Sequence, residues 1–407
     1  MEHVPVAIVG AGQAGLATSR ELTRVGVDHI VLERGRIGQS WRDRWDSFCL
    51  VTPNWTVQLP DGAYDGDDPD GFMPRDEIVA YLERYAARFD SPVREGVDVT
   101  RLDEGLLLRT SEGDVRADVV VAATGAYQRS HRPAVADTLP HDLLQLDIGS
   151  YRNERELPPG PVLVVGSGQS GCQVAEELYE AGREVVLSCG RAPWLPRRFG
   201  GHDLAWWLAE TGYIEATVDS LPDPRARLAA NVLASGHGGG HDLHLRTLHA
   251  LGVTLVGHFL GAEGREARFA ADLAESVAWG DGRYAVIREL ADKLVAERGL
   301  ETSGMADPEP FDADAPESID LTGFGAVIFA GGFRPDYGSW IPWPDAFDDL
   351  GFPIHENCAS TVVPGLYFVG THFLRKRKSA LLMGVGEDAK IVAEQVAQNA
   401  VARASVS

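Results

Sequence analysis

Two stretches of the chain share one order of apolar and polar positions. Val4-Pro5-Val6-Ala7-Ile8-Val9 is a short, nearly continuous apolar run, as expected of a strand covered on both faces. It is followed by Gln13 to Val25, in which Leu16, Leu22 and Val25 recur at helical spacing, and then by a second strand, His29 to Leu32, that ends at Glu33. The same order returns in Pro161-Val162-Leu163-Val164-Val165, a helical pattern from Gln169 to Ala181 and a strand from Glu184 to Leu187. Farther on, Asp242 to Leu251 reads as a helix, Val253 to Phe259 as a strand and Tyr284 to Glu297 as a helix. A closing helix, capped by Ser379, runs through Leu381, Leu382 and Val385 to Val396. Strands alternating with helices predict an α/β fold with parallel sheets.

The turns between strand and helix carry the chemistry. Gly10-Ala11-Gly12-Gln13-Ala14-Gly15 and Gly166-Ser167-Gly168-Gln169-Ser170-Gly171 are two copies of one Gly-x-Gly-x-x-Gly fingerprint. The first glycine permits the tight turn, the second lets the backbone approach a pyrophosphate, and the third allows close helix packing. Free N–H groups and the positive dipole end of the helix can then meet the phosphates. The two copies differ in how their second strands end. Glu33 ends the second strand of the first unit, where a carboxylate accepts hydrogen bonds from both ribose hydroxyls of an adenosine and repels a 2′-phosphate. The second unit ends in Ser188-Cys189-Gly190-Arg191, with Arg197 and Arg198 shortly after. A hydroxyl and a planar guanidinium suit a 2′-phosphate. The expectation is FAD or NAD in the first site and NADP in the second.

These fingerprints stand with Gly38-Gln39-Ser40-Trp41-Arg42, Ala123-Thr124-Gly125, Ala330-Gly331-Gly332-Phe333-Arg334-Pro335-Asp336 and the run from Pro364 to Gly370. Together they give nearly the whole chain a resemblance to the two-dinucleotide-binding-domain flavoproteins, and within them to the flavin-containing monooxygenases and their bacterial group B relatives. The resemblance implies two Rossmann-like domains, with an NADPH domain at 151–320 inserted into an FAD domain at 1–150 and 321–407. FAD is expected against Gly10, Gly12, Gln13, Ala14, Gly15, Glu33, Arg34, Ser40, Trp41, Arg42, Thr52, Val99, Thr124, Gly125, Gly370 and Ser379. NADPH is expected against Gly166, Gly168, Gln169, Ser170, Gly171, Ser188, Arg191 and Arg197. Thr52 or Asn54 would donate a hydrogen bond near flavin N5 and C4a, and Lys378 would stabilise the reduced flavin at N1 beside a helix N-terminus.

The activity implied is hydride transfer from NADPH to FAD, addition of O2 at C4a, and oxygenation of a small organic substrate at nitrogen, sulfur or a carbonyl through the C4a-hydroperoxide. The protein's share is orientation, desolvation and electrostatics. The alternative is an NADPH-dependent flavin reductase or dehydrogenase that inserts no oxygen. The family's Phe-x-Gly-x-x-x-His-x-x-x-Phe/Tyr crossing motif is altered: His141, Leu143 and Asp147 stand where Phe, Gly and His belong, and only Tyr151 matches. Asp147 cannot replace a donating histidine, because an ionised carboxylate only accepts.

Charge and cysteines narrow the classes. A net charge of −23 argues against nucleic acid or an anionic membrane surface as a partner. No apolar stretch reaches transmembrane length and the first strand begins almost at once, so a cytoplasmic location is expected. Cys49, Cys172, Cys189 and Cys358 are too scattered for a disulfide framework, a zinc knuckle or a redox pair, and Cys49 reads as a small buried hydrophobe. His237-Gly-Gly-Gly-His241-Asp-Leu-His244 reads as a flexible loop before a helix, with no third ligand to complete a metal site and the histidines either solvated or lining a substrate pocket. Aromatic Trp55, Tyr64, Trp206, Trp207 and Phe373, with His372, suggest an aromatic or apolar substrate. Trp340-Ile341-Pro342-Trp343 is read as an exposed stretch suited to a homodimer interface.

Overall fold

The computed structural model describes residues 1–301, 304–312 and 314–404. The first apolar run is the strand Glu2–Val9, central in a nine-stranded sheet and parallel to His29–Glu33 on one side and Val115–Ala122 on the other. Val93–Glu95 extends this sheet beyond His29–Glu33, and Leu366–Phe368 extends it beyond Val115–Ala122, both again in parallel. Val6, Ala7 and Ile8 are wholly buried, which is why this strand carries no polar alternation.

The second fingerprint belongs to a separate sheet of five parallel strands, in the order Leu144–Asp147, Ala326–Phe329, Val162–Val165, Val185–Ser188 and Thr254–Val256. Two of these strands come from outside the 151–320 span expected for the inserted unit. The chain passes between the sheets at a short antiparallel ribbon, Arg129–Ser130 against Phe333–Arg334.

The helices Gln13–Arg24 and Gln169–Glu180 match their predicted extents within a residue. Two others differ. The helix expected from Tyr284 starts eleven positions earlier and spans Leu273–Arg298. Gly280 and Gly282 look like a turn in the sequence. Gly280 is helical because its backbone runs close to Ala192, where a Cβ would lie 2.9 Å from the carbonyl oxygen. The closing helix begins at Val385, and Arg377–Ala380 forms a separate 3-10 turn. At Gly384 the chain folds back so tightly that a Cβ would stand 2.2 Å from the Lys378 carbonyl oxygen. Trp340 and Trp343 are not an exposed patch: both are partly buried against the first core. Among the described residues no helix is long and apolar enough to cross a membrane.

The glycines of one fingerprint should respond differently to a methyl group. At Gly15 a Cβ would lie 1.8 Å from the Gly10 carbonyl oxygen, whereas at Gly12 it would meet nothing within 4 Å. Gly15→Ala should cost about 1–3 kcal/mol or more in urea unfolding of the apoprotein. Gly12→Ala should stay within about 0.5 kcal/mol of the parent. Equal losses would refute this reading of the turn.

Candidate functional site

A cleft of 470 Å³ opens at the C-terminal ends of the first sheet's strands, where parallel sheets place their ligands. Gly10, Gly12, Gln13, Ala14, Glu33, Arg34, Ser40, Trp41, Val99, Thr124, Gly125 and Gly370 all line it. Glu33 is buried there, and its two oxygens accept from the backbone N–H groups of Ala11 at 2.7 Å and Gly35 at 2.8 Å. Each oxygen keeps a second lone pair for a hydroxyl. The helix Gln13–Arg24 starts at Gly12 without a side-chain cap, so its first N–H groups are left for a ligand. These residues fit the adenosine and pyrophosphate of a dinucleotide. Trp41 Nε1 donates to Gln13 Oε1 at 3.0 Å, and Gln13 Nε2 donates to the Ala380 carbonyl at 3.2 Å. Gly15 lies beneath the turn as a packing contact with Gly10.

Several expected contacts are engaged elsewhere. Arg42 lies outside the cleft lining, donating to Glu83 at 2.5 Å and to the Ile37 carbonyl. Asn54 is buried, with Nδ2 donating to the Asp68 carbonyl at 2.9 Å and Oδ1 accepting from the Met73 N–H at 2.7 Å. It staples the 68–73 loop, so its expected catalytic role is corrected to a structural one. Thr56 gives its hydroxyl proton to the Pro53 carbonyl, so at the 2.8 Å contact between the two hydroxyls Thr52 is the donor and its proton is committed. Lys378 pairs with Glu215 and Glu387, the same acids that hold Lys376, rather than reaching the cleft. Ser379 does not cap the closing helix; its hydroxyl accepts from the N–H groups of Arg375 and Lys376. Arg197 is buried against Asp203 at 2.6 Å and donates to the Val51 carbonyl at 2.7 Å, which removes it from the phosphate role expected of it.

The second fingerprint repeats the backbone of the first. Gly168 begins its helix without a side-chain cap, and at Gly171 a Cβ would lie 1.8 Å from the Gly166 carbonyl oxygen. Ser170 is in the first helical turn, while the Gln169 amide is spent on the backbone of Ala234. Ser188 donates to the Gly257 carbonyl at 2.9 Å. Arg191 lines a second cavity of 390 Å³ with His258, Asp272, Glu275 and Ser276. His258 Nδ1 meets Asp272 at 2.5 Å, an arrangement that fixes the imidazole at the pocket wall. No motif announced His258, since it reaches this pocket only because Thr254–Val256 pairs with Val185–Ser188. Arg44, Tyr127, Gln128 and Asp336 in the first cleft were also missed. Gln128 links the two crossings, donating to Thr124 at 2.7 Å and accepting from the Asp336 N–H.

The altered crossing has its own partners. Asp147 meets Arg132 at 2.6 Å, and the buried Tyr151 donates to Glu177 at 2.8 Å, with burial and that carboxylate both raising the phenol's pKa. His241 contacts Glu176 at 2.7 Å and His237 lies 3.6 Å from Glu180; among the described residues no cluster could hold a metal. All four cysteines are buried and free, and burial pushes the Cys49 thiol up to about 11.

Residues 7–210 match the family described as pyridine nucleotide-disulphide oxidoreductase. The chain is 32% identical to an uncharacterised CzcO-like oxidoreductase of Geobacillus kaustophilus, over 97% of this chain and 99% of that one. It is 29% identical to a probable indole-3-pyruvate monooxygenase of Arabidopsis thaliana, over 96% of this chain and 86% of the relative. A flavin-containing monooxygenase from Stenotrophomonas maltophilia shares the fold with a TM-score of 0.69 at 20% identity, covering 98% of this chain and 100% of the other. The chain belongs to the pyridine nucleotide-disulphide oxidoreductase family, an oxidoreductase on the FAD- and NADP-binding flavoprotein fold.

Burial holds two histidines neutral: His244 and His372 are each lowered to about 4, His372 with Arg377 and Arg227 adding to the effect. A depressed histidine contributes stability that is complete above its unfolded pKa of about 6.5 and is lost as pH falls toward 4. The urea midpoint should therefore fall across that window, and fall less for His372→Gln. Parallel pH profiles would mean that His372 titrates alike folded and unfolded.

Proposed function

We propose that the chain is an NADPH-dependent, FAD-containing monooxygenase acting on a small organic substrate. The carrying observation is a pair of uncapped helix N-termini, each at the end of a parallel strand in one of two sheets, one beside the buried acid Glu33 and the other on the sheet whose next strand leads to a cavity walled by Arg191. In this reading the nine-stranded sheet is the FAD unit and the five-stranded sheet the NADPH unit. Glu33 accepts from the adenosine ribose of FAD, and the N–H groups at Gly12 to Ala14 hold its pyrophosphate. Arg191, with His258, takes the 2′-phosphate of NADPH. When bound, FAD supplies hydride acceptance and oxygen activation.

The destination of the electrons is inferred from the thiols and the relatives. The cysteines are buried, with burial raising each thiol, and none of them lines the first cleft, so no dithiol relay stands there. A similar full-length chain is named as a monooxygenase, which supports transfer to oxygen and then to a small substrate. The altered crossing favours a second reading, a reductase without oxygen insertion, because Asp147 is tied to Arg132 rather than offering a donor.

One rapid-mixing experiment separates the two. FAD-loaded enzyme reduced by NADPH and mixed with oxygen should pass through a transient absorbance unlike either oxidised or reduced flavin. Direct return to oxidised flavin, with all electrons recovered as hydrogen peroxide, would favour the reductase. Nicotinamide choice has its own test. Arg191→Ala should weaken NADPH by about 1–3 kcal/mol, roughly 5- to 150-fold, while NADH changes little. An unaltered NADPH to NADH ratio in the reductive half-reaction would remove Arg191 from the phosphate site.

A further inference from the structure

Arg44 is anomalous in a chain where 60 acidic residues outnumber 37 lysines and arginines. It sits in the wall of the 470 Å³ cleft, and its Nε is buried with no hydrogen-bond partner. Its guanidinium carbon lies 4.9 Å from the Tyr127 ring and 5.8 Å from the rings of Phe48 and Phe333. Asp43, its sequence neighbour, is engaged with the Gln39 amide at 2.9 Å. Aromatic rings satisfy the faces of a guanidinium, but its N–H groups lie in the plane and need acceptors. A buried N–H without an acceptor is costly, so the arrangement at Nε is explained if the acceptor arrives with a ligand.

Tyr127 and Phe333 tie Arg44 to the ribbon between the sheets, where Arg129 stands directly opposite Arg334. Like charges opposed across two strands repel. Burial and the nearby Arg129 both lower the Arg334 pKa. Arg129 follows Gln128 and Arg334 lies two residues before Asp336, and Gln128 and Asp336 both line the cleft, so the two charges stand beside its wall.

We infer that Arg44, in the field of Arg129 and Arg334, forms an oxyanion-binding site at the mouth of the first cleft, taking a carboxylate or phosphate group. A substrate acid and a dinucleotide phosphate share this chemistry. Where the group belongs to the substrate, the inference rests on the proposed reaction and restricts it to anionic substrates.

The test is equilibrium binding of benzoate, inorganic phosphate and NADP+ to FAD-loaded enzyme, monitored by the flavin spectrum and calorimetry without turnover. Failure of the oxygen chemistry therefore leaves it readable. Arg44→Met should weaken at least one of these anions by about tenfold or more, with Arg44→Lys intermediate. Loss confined to benzoate assigns the site to a substrate carboxylate, and loss of NADP+ with phosphate assigns it to the dinucleotide. If Arg44→Met does not load FAD, the double variant Arg129→Gln/Arg334→Gln should still weaken the same anion about threefold at low salt. Affinities for all three anions that are unchanged in the variants, or no binding of any of them to the parent enzyme, would overturn the site.

Discussion

Gly15 and Gly171 occupy equivalent places, each with its α-carbon turned so that a side chain would collide with the carbonyl oxygen of Gly10 or Gly166. This close approach seats each helix directly on the end of its strand, and the seating decides where the helix N-terminus points. Gly10 and Gly166 add the second half of the constraint: both have positive φ, and a Cβ at either would press on the neighbouring crossing strand at Ala123 or Ala330. Three backbone segments therefore converge at each turn without side chains between them. Polar backbone groups are exposed there because nothing fills the space, which makes both turns suitable for phosphate.

Around two equivalent turns, chemistry diverges through single side chains. Glu33 closes the first site with a buried carboxylate that is already half satisfied by Ala11 and Gly35. Those two bonds hold it oriented, so the remaining lone pairs are directed rather than mobile. The second site presents a cation beside an imidazole and two acids, a more exposed and balanced set. A neutral ribose suits the first environment and a 2′-phosphate the second.

The sequence made the local part of this legible and the long-range part not. Both strand-turn-helix-strand units could be read because their signals, apolar runs and glycine spacing, act within about thirty residues. In the first cleft Gly10, Gly12, Gln13, Ala14 and Glu33 followed from the same register, and Ser40, Trp41, Val99, Thr124, Gly125 and Gly370 from the family resemblance. Thr52 and Ser379 are engaged locally, by Thr56 and by the N–H groups of Arg375 and Lys376, but four other side chains are engaged by partners farther away along the chain. Asn54 is claimed by Asp68 and Met73, Arg42 by Glu83, Lys378 by Glu215, and Arg197 by Val51 as well as Asp203. A polar residue near a cofactor motif looks available until the fold supplies its partner. Arg44 shows the converse, for nothing in Trp41-Arg42-Asp43-Arg44 marks which arginine would be left without one.

Side-chain hydrogen bonds at the crossing join the helix of the second fingerprint to the loop that follows Trp41. Glu177, on the helix that starts at the second fingerprint, accepts hydrogen bonds from Tyr151 in the altered crossing and from Ser47 in the loop after Trp41. The same loop is held from the other side, where Asp46 takes its N–H to the Arg152 carbonyl at 2.8 Å and its carboxylate accepts from Asn153 and Arg75. Glu177 thus joins the second helix, through Ser47, to the segment that carries Arg44 and Trp41. A histidine in the crossing would have reached a ligand directly. Here Asp147 is neutralised by Arg132, and the remaining matched residue, Tyr151, is turned inward to the protein. The tie between Tyr151 and Glu177 therefore rests on the position that matches the family motif, while the altered position at Asp147 is held by a separate pair with Arg132.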